Sequence, residues 1–460
     1  MSRGLFKTRF GFIAAAAGSA VGLGNIWRFP YETGQNGGAI FLLFYIAAIF
    51  LICLPILIAE ITIGRKTRLN PFGAFKLLGG KAYAVFGFFG LLSGVMILSF
   101  YNVVAGWAFG YLLKIVSGEL HATTEFGQVF GDYVSNAGSV TTHAAIFMIG
   151  TAFIVGAGIQ KGIERWTSLL MPILIFMMLG LVAYAVTLPG AIDGLRFYLV
   201  PDTSKINLEM ILSAISQAFF SLGLGLGLLV TYGSYVSDSQ NLVRSATIIA
   251  IMDTFIAFLA GLLIFPLVFS QNLTPGAGPG LVFVTLPGVF YSMGPVVGKV
   301  IGSLFFLLLC FAALTSTISI LESPVIFLQD QFKIKRKWSV AIMATITFII
   351  GIPSLLSQGA SEYFTSFVSY GGQSKGFLDL INDVFSEISL PLGGLLIALL
   401  VIYKWKFSNM VEEVSKGNSK FRKSLSNNYV HIILKYVAPI LMGVLIIIKI
   451  FTNFLGKDLF

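Results

Sequence analysis

The chain is short of charge. Only 11% of its 460 residues are Asp, Glu, Lys or Arg, against 56% apolar. So little polar surface cannot cover a soluble globule, which excludes a water-soluble fold. Cysteine is nearly absent. Cys53 and Cys310 both fall in apolar runs, where a thiol behaves as a small hydrophobe, so neither a disulfide framework nor a metal cluster is implied. Histidine is scarce too, with His121, His143 and His431 scattered. A cleavable signal peptide is not expected, because the first apolar segment is long, interrupted and carries Arg28. No nucleophile and base stand in a known catalytic motif, so the chain is not expected to be an enzyme.

Apolar runs of about 20 residues recur along the whole chain, which fits one polytopic helical bundle. Eleven spans are predicted, near 10–35, 38–64, 83–116, 143–159, 163–187, 208–236, 241–270, 295–328, 338–356, 376–404 and 430–454. The formal charge of +10 sits in short blocks between spans, unlike the continuous basic face that a nucleic acid requires. With the N-terminus cytoplasmic, 22 of the 30 basic residues fall in internal segments, as the positive-inside rule requires. An odd span count puts the C-terminus outside. The polar stretch 117–142, a proline-containing apolar loop at 271–293 and a polar loop at 357–375 are then external.

Two spans carry glycine clusters that a continuous helix would not favour. Residues 18–30, GSAVGLGNIWRFP, interrupt the first, and Ser221–Gly227, SLGLGLG, interrupts the sixth. Lipid offers no hydrogen bonds to unwound backbone, so such breaks survive only where the freed groups face protein, ions or a wet cavity. Paired breaks five spans apart point to inverted repeats with a binding site at the bilayer midplane. A sodium ion suits such a place, since released carbonyls and hydroxyls form a cage of hard oxygens. Asp253, a carboxylate within an apolar span, is costly and hence a functional candidate. In span five, Gly162 and Pro172 are two weak points where the helix can unwind.

These breaks, together with Tyr101 and Trp107, Lys161–Arg165 (KGIER), Gln217–Gly227, Thr231–Tyr235 (TYGSY) and Ala312–Thr317 (AALTST), closely resemble the bacterial neurotransmitter:sodium symporter family. The resemblance covers nearly the whole chain. It implies an all-α membrane protein with a LeuT-like 5+5 inverted repeat, broken helices 1 and 6 and eleven transmembrane helices. The first repeat is expected over 1–187, the second over 208–404, and helix 11 over 430–454.

The family's roles carry over residue by residue. A first sodium site (Na1) is implied at Ala20, Asn25, Ser221 and Asp253, and a second (Na2) at Gly18, Val21, Ala312, Thr315 and Ser316. The substrate carboxylate is expected at the amides of Leu23 and Gly24, the Tyr101 hydroxyl and the Na1 ion. Its ammonium is expected at carbonyls of Ala20, Phe220, Ser221 and Gly223. The side-chain pocket is expected from Ile97, Tyr101, Phe220, Leu226, Thr317, Ser319 and Ile320, which carry no charge and so favour neutral hydrophobic amino acids. Gly223 and Leu226 make it roomier than in relatives with larger residues there. Arg28 and Asp383 resemble the outer gate pair; Arg3 and Asp330 resemble the inner latch, braced by Tyr235.

Chloride-dependent relatives bind an anion near residues matching Tyr45, Gln217 and Ser221, and a span-seven position that is Ala257 here. Asp253 is expected to supply that negative charge from one turn away, so chloride is not expected. The resemblance therefore implies sodium-coupled import of neutral amino acids across the bacterial inner membrane by alternating access, with two sodium ions. A sodium-dependent amino acid sensor without transport is the alternative. Sequence leaves the oligomeric state open.

Overall fold

The computed structural model describes residues 4–121, 125–271, 273, 278 and 280–456. The first helix starts at a cap built from two elements. The Thr8 hydroxyl accepts from the Gly11 amide at 2.9 Å, while the Glu164 carboxylate accepts from the Lys7 amide at 2.8 Å and from the Thr8 amide at 3.0 Å and hydroxyl at 3.1 Å. An acceptor at a helix N-terminus satisfies amides that have no partner within the helix. Helix α1 (Arg9–Ala20) is buried from Gly11 onward, Ser19 only partly, until Val21 turns extended (φ −71°, ψ 109°). Helix α2 (Gly24–Gln35) resumes at an angle of 50°.

Next come α3 (Ala39–Thr67), the short α4 (Pro71–Gly79) and α5 (Lys81–Ser117). The stretch expected as a polar loop contains α6 (Phe126–Ser135), and α7 (Ala137–Gly156) begins before the predicted boundary. Helix α8 (Ile159–Ala185) opens on a widened turn, in which the Ile163 amide reaches the Gly158 carbonyl at 3.0 Å, and holds Pro172 in its interior. A surface helix α9 (Ala191–Leu199) leads to α10 (Leu208–Leu222).

Helix α10 stops because Gly223 takes the left-handed conformation (φ 61°), which glycine alone adopts without penalty. Gly225 (φ 90°) and Gly227 (φ 73°) repeat it before α11 (Leu228–Gly233) begins. A Cβ at Gly225 would lie 2.3 Å from the Leu390 carbonyl oxygen, so the packing also demands glycine.

The chain continues through α12 (Leu242–Phe269), the short α13 (Leu281–Ser292) in the loop before α14 (Val297–Phe332), and α15 (Arg336–Leu356). The predicted polar loop at 357–375 holds α16 (Glu362–Thr365) and an antiparallel hairpin of β1 (Val368–Tyr370) and β2 (Gln373–Lys375), with Val368 opposite Lys375. Helix α17 (Phe377–Lys404), the amphipathic α18 (Phe407–Ser415) and α19 (Leu425–Phe454) complete the bundle.

Among the described residues, nine helices are long and apolar enough to cross a membrane, and ten if the bent pair α1–α2 is one span. Eleven were expected. The difference is the segment 208–236, which the glycines divide into helices of 15 and six residues, each below the roughly 20 that a bilayer needs.

Both interrupted pairs lie in the core. Helices α10 and α11 pack on α3, and α1 packs on α8, α12 and α14, with α5, α7 and α15 completing the wall around α14. At the end of the bundle nearest the N-terminus, α18 is fastened down by a buried ion pair. Arg65 Nε meets Glu413 Oε1 at 2.9 Å with both side chains 1% exposed or less, and Arg65 also donates to the Gln240 carbonyl at 2.8 Å.

Candidate binding site between the helix breaks

Three side chains from three helices converge on one buried carboxylate. Asp253 on α12 accepts from Asn25 Nδ2 at 2.7 Å, from Ser221 Oγ at 2.9 Å to each oxygen, and from the Tyr45 hydroxyl at 3.2 Å. Asn25 also donates to Ser221 Oγ at 3.0 Å, and its own carbonyl accepts from the Gly22 amide at 3.0 Å. Asp253 is 0% exposed and no basic side chain pairs with it among the described residues. A buried charge without such a partner is costly and calls for a cation or a dense set of donors. Gln217 Nε2 donates to the Gly24 carbonyl at 3.0 Å, which ties the broken α1–α2 to α10. Its Oε1 is buried without a hydrogen bond, and Ala257 is fully buried one turn beyond Asp253.

On the other side of the first break, two hydroxyls of α14 face its freed carbonyls. Ser316 Oγ lies 3.2 Å from the Val21 oxygen and 3.4 Å from that of Ser19, and Thr315 Oγ lies 3.4 Å from the Val21 oxygen and 2.9 Å from that of Ala312. Gly18 packs against the same residue, since a Cβ there would lie 3.2 Å from Thr315 Cβ. Val21, Ala312, Thr315 and Ser316 are thus brought together through their oxygens, with Gly18 packed beside them and no carboxylate in the set. A monovalent ion suits such a neutral set better than a divalent one.

Between the two clusters lies a cavity of about 40 Å³, room for only a few waters. Ala20, Gly24, Ile97, Tyr101, Phe220, Ser221, Gly223, Leu226 and Ile320 line it as expected, joined by Gly22, Ser316 and Leu390. The Tyr101 hydroxyl accepts from the Leu23 amide at 2.8 Å, which places it at the mouth of the break. Gly22 is indispensable there. A Cβ would fall 2.3 Å from Ser316 Oγ and 2.4 Å from the Tyr101 hydroxyl.

Thr317 and Ser319 depart from expectation. Neither lines the cavity: Thr317 Oγ1 pairs with Thr151 Oγ1 on α7 at 2.8 Å, and Ser319 Oγ turns back to the Ser316 carbonyl at 2.7 Å. The helical period explains this, because Ser316 and Ile320 are one turn apart on the cavity face and 317 and 319 flank it.

The outer gate pair needs a correction. Arg28 bonds Glu387, and also approaches Glu32 at 3.5 Å, rather than Asp383. Residues 382–388 form a widened turn at the start of α17 that turns Glu387 inward, while Asp383 is held by Lys375 at 2.7 Å, the Tyr370 hydroxyl at 3.0 Å and Asn453 at 3.4 Å. The Arg28 guanidinium also lies 4.5 Å from the centre of the Phe220 ring, directly above the cavity. At the opposite end, Arg3 lies outside the described residues. Asp330 accepts from Asn70 Nδ2 at 2.7 Å, and the Tyr235 hydroxyl donates at 2.8 Å to Glu322, which pairs with Arg336 at 2.6 Å.

Comparison with known proteins places this geometry. The model of the sodium:neurotransmitter symporter family matches residues 3–126 and 123–456. An uncharacterised sodium-dependent transporter of Bacillus subtilis is 36% identical over 98% of this chain and 97% of its own length. The chain belongs to the sodium:neurotransmitter symporter family.

A second symporter relative, from Haemophilus influenzae, is 34% identical over 98% of each chain, and the sodium-dependent serotonin transporter of Drosophila melanogaster is 29% identical over 76% of this chain. Among solved structures, MhsT in complex with L-phenylalanine superposes with a TM-score of 0.88 at 42% identity, covering 97% of this chain and 99% of that one. These relatives of the symporter family are transporters, not enzymes.

Besides Glu387, a buried carboxylate next to the second break escaped the reading of the sequence. Glu60, 0% exposed on α3, accepts from the Gly225 amide at 2.7 Å and so caps the second break, while its other oxygen has no hydrogen bond. Its signal was present, since it is a lone carboxylate in the apolar run 38–64 and invites the same argument as Asp253.

Proposed function

We propose that the protein is a sodium-coupled symporter that imports neutral hydrophobic L-amino acids, aliphatic or aromatic, by alternating access and without chloride. The observation that carries this reading is the meeting of Asn25, Ser221 and Asp253 beside a cavity that Tyr101 and Phe220 close. Asp253 supplies a fixed negative charge where an anion would otherwise be needed, and with Ala20, Asn25 and Ser221 it holds one sodium ion. Gly18, Val21, Ala312, Thr315 and Ser316 hold a second. The substrate carboxylate meets the Leu23 and Gly24 amides, where a half-helix N-terminus favours an anion, together with the Tyr101 hydroxyl and the first ion. Carbonyls of Ala20, Phe220, Ser221 and Gly223 receive the ammonium. The 40 Å³ cavity admits a side chain only after Phe220 and the glycine break at 223–227 yield.

Ion and substrate stabilise each other in one cage, and such coupling is reciprocal. Two sodium ions moving down about 100 mV contribute roughly 4.6 kcal/mol. A tenfold sodium gradient adds about 1.4 kcal/mol per ion, enough in total for an accumulation of about 10⁵.

In this reading the segment 208–236 is one broken span, which makes eleven, with repeats over 1–187 and 208–404 and helix 11 over 430–454. The chain sits in the bacterial inner membrane with its N-terminus cytoplasmic and its C-terminus outside. Arg28 and Glu387 then form the outer gate, and Asp330 and Tyr235 belong to the inner latch with Arg3. The support for this orientation is the basic blocks between spans. Uptake of labelled phenylalanine into proteoliposomes, with a competition panel of the twenty amino acids, tests the reading. Concentrative, sodium-driven uptake that neutral hydrophobic residues compete for is expected. Binding without uptake would instead make the protein a sensor.

A further inference from the structure

The outer gate is a set of four charges. Glu387 Oε1 bonds Arg28, while Oε2 meets the Lys449 ammonium of α19 at 2.8 Å and accepts from Ser216 at 3.3 Å. Arg28 in turn has a second acceptor on its own helix, Glu32, one turn on at 3.5 Å, and Glu32 is held by Ser213 at 2.8 Å. Two positive and two negative groups thus alternate along one wall of a polar cavity of about 780 Å³. None is freely exposed: side-chain exposures run from 6% for Glu387 to 25% for Lys449.

The order of the four charges matters more than their number. Glu32 travels with Arg28, because both lie on α2. Lys449 travels with Glu387, because α19 packs along α17. Among these four charges the central contact, Arg28 to Glu387, is the one that joins the two sides, while Ser213 and Ser216 of α10 donate to Glu32 and Glu387 respectively. We propose that Lys449 and Glu32 are resident counter-ions of the outer gate, so that opening separates two neutral pairs rather than two bare charges. This rests on the transporter reading above.

The physical reason lies in the cost of an unpaired charge at a partly buried site. Attraction between opposite charges grows as the surroundings lose water, and a gate built from one pair would resist opening by that full amount. Supplying each member with its own partner flattens the difference between closed and open states. Lys449 is therefore a positioning residue: it touches neither ion nor substrate and acts through Glu387. Removing it leaves Glu387 with Arg28 as its only cation, and the gate stays shut for longer. Removing the Glu32 charge does the same from the other side.

The test uses the full chain carrying Leu212→Cys, a position lining the outer cavity, while the native thiols Cys53 and Cys310 are buried. Reaction with the neutral reagent N-ethylmaleimide in sodium without substrate reports how often the gate opens. Lys449→Met and Glu32→Gln should each slow labelling and initial phenylalanine uptake about tenfold, as a shift of about 1.4 kcal/mol toward the closed gate requires. Lys449→Arg should restore both. Sodium-dependent phenylalanine binding at equilibrium should persist in every variant, which separates this outcome from misfolding. Unchanged or faster labelling in either Lys449→Met or Glu32→Gln overturns the proposal. Absence of sodium-dependent phenylalanine binding in the parent would instead overturn the transporter reading itself.

Discussion

Replacing Asp253 by Asn changes almost nothing in shape and removes one charge from the middle of the protein. The carboxylate receives Asn25, Ser221 and Tyr45 at 2.7 to 3.2 Å, all from groups 0 to 2% exposed. An amide keeps one acceptor oxygen and turns the other into an NH₂, which faces donors and repels them. Hydrogen bonds to charged groups contribute about 1.5–3 kcal/mol each. Loss of one such bond corresponds to roughly a ten- to 150-fold rise in the sodium concentration needed for half-maximal uptake. The missing charge has a further consequence. An anion small enough to sit beside Tyr45, Gln217 and Ser221 can replace it, so chloride is expected to recover part of the lost sodium affinity in the variant. The assay is initial phenylalanine uptake against sodium concentration, with chloride or gluconate as the anion, for parent and variant. The parent should give the same curve in both anions. An Asp253→Asn protein whose sodium dependence is unchanged in either anion would refute the argument, and a parent that fails in gluconate would refute chloride independence.

Tyr101→Phe leaves the Leu23 amide buried without an acceptor, a loss of about 1–3 kcal/mol. The phenylalanine KM should rise at least about fivefold, and an unchanged KM would dismiss the role given to the hydroxyl. Gly22→Ala forces a methyl into Ser316 and Tyr101, which overpacks the break by about 1–3 kcal/mol and should abolish uptake while the protein still elutes as a single species from size exclusion. Arg65→Met leaves the buried Glu413 only the exposed Lys416 at 2.9 Å and Lys66 at 4.0 Å as close cations. The thermal unfolding midpoint in detergent should fall in line with a loss of about 3 kcal/mol, and a midpoint equal to the parent's would show that the clamp on α18 is dispensable. Exchanging external sodium for choline should eliminate uptake altogether, whereas residual concentrative uptake in choline would mean that another ion drives the cycle.

The breaks were legible because glycine recurs in each at every second position, a spacing that no single packing face of a continuous helix uses. Gly223, Gly225 and Gly227 all take positive φ, which the sequence SLGLGLG foreshadows. Asp253 was legible as an isolated carboxylate, and the rule that marks it marks Glu60 equally well. The partner of Arg28 was not legible. Asp383 and Glu387 are one helical turn apart and both line the outer cavity, and the widened turn at 382–388 gives Arg28 the second of them rather than the first. Thr317 and Ser319 failed for a related reason. A short run of hydroxyls in an apolar helix tells which helix matters, but a shift of 100° per residue decides which of them looks inward. Lys449, late in the last span, was passed over although an ammonium within an apolar run invites the same rule, and only the fold reveals its acceptor.

The cap that Glu164 places over the first helix has its own implication. One carboxylate there receives two amides and a hydroxyl, and Gly11 packs so tightly on it that a Cβ would lie 2.1 Å from Oε1. Pulling the start of α1 away from α8 would release three donors and an anion at once, so the beginning of the first helix and the widened turn that opens α8 are bound to move together.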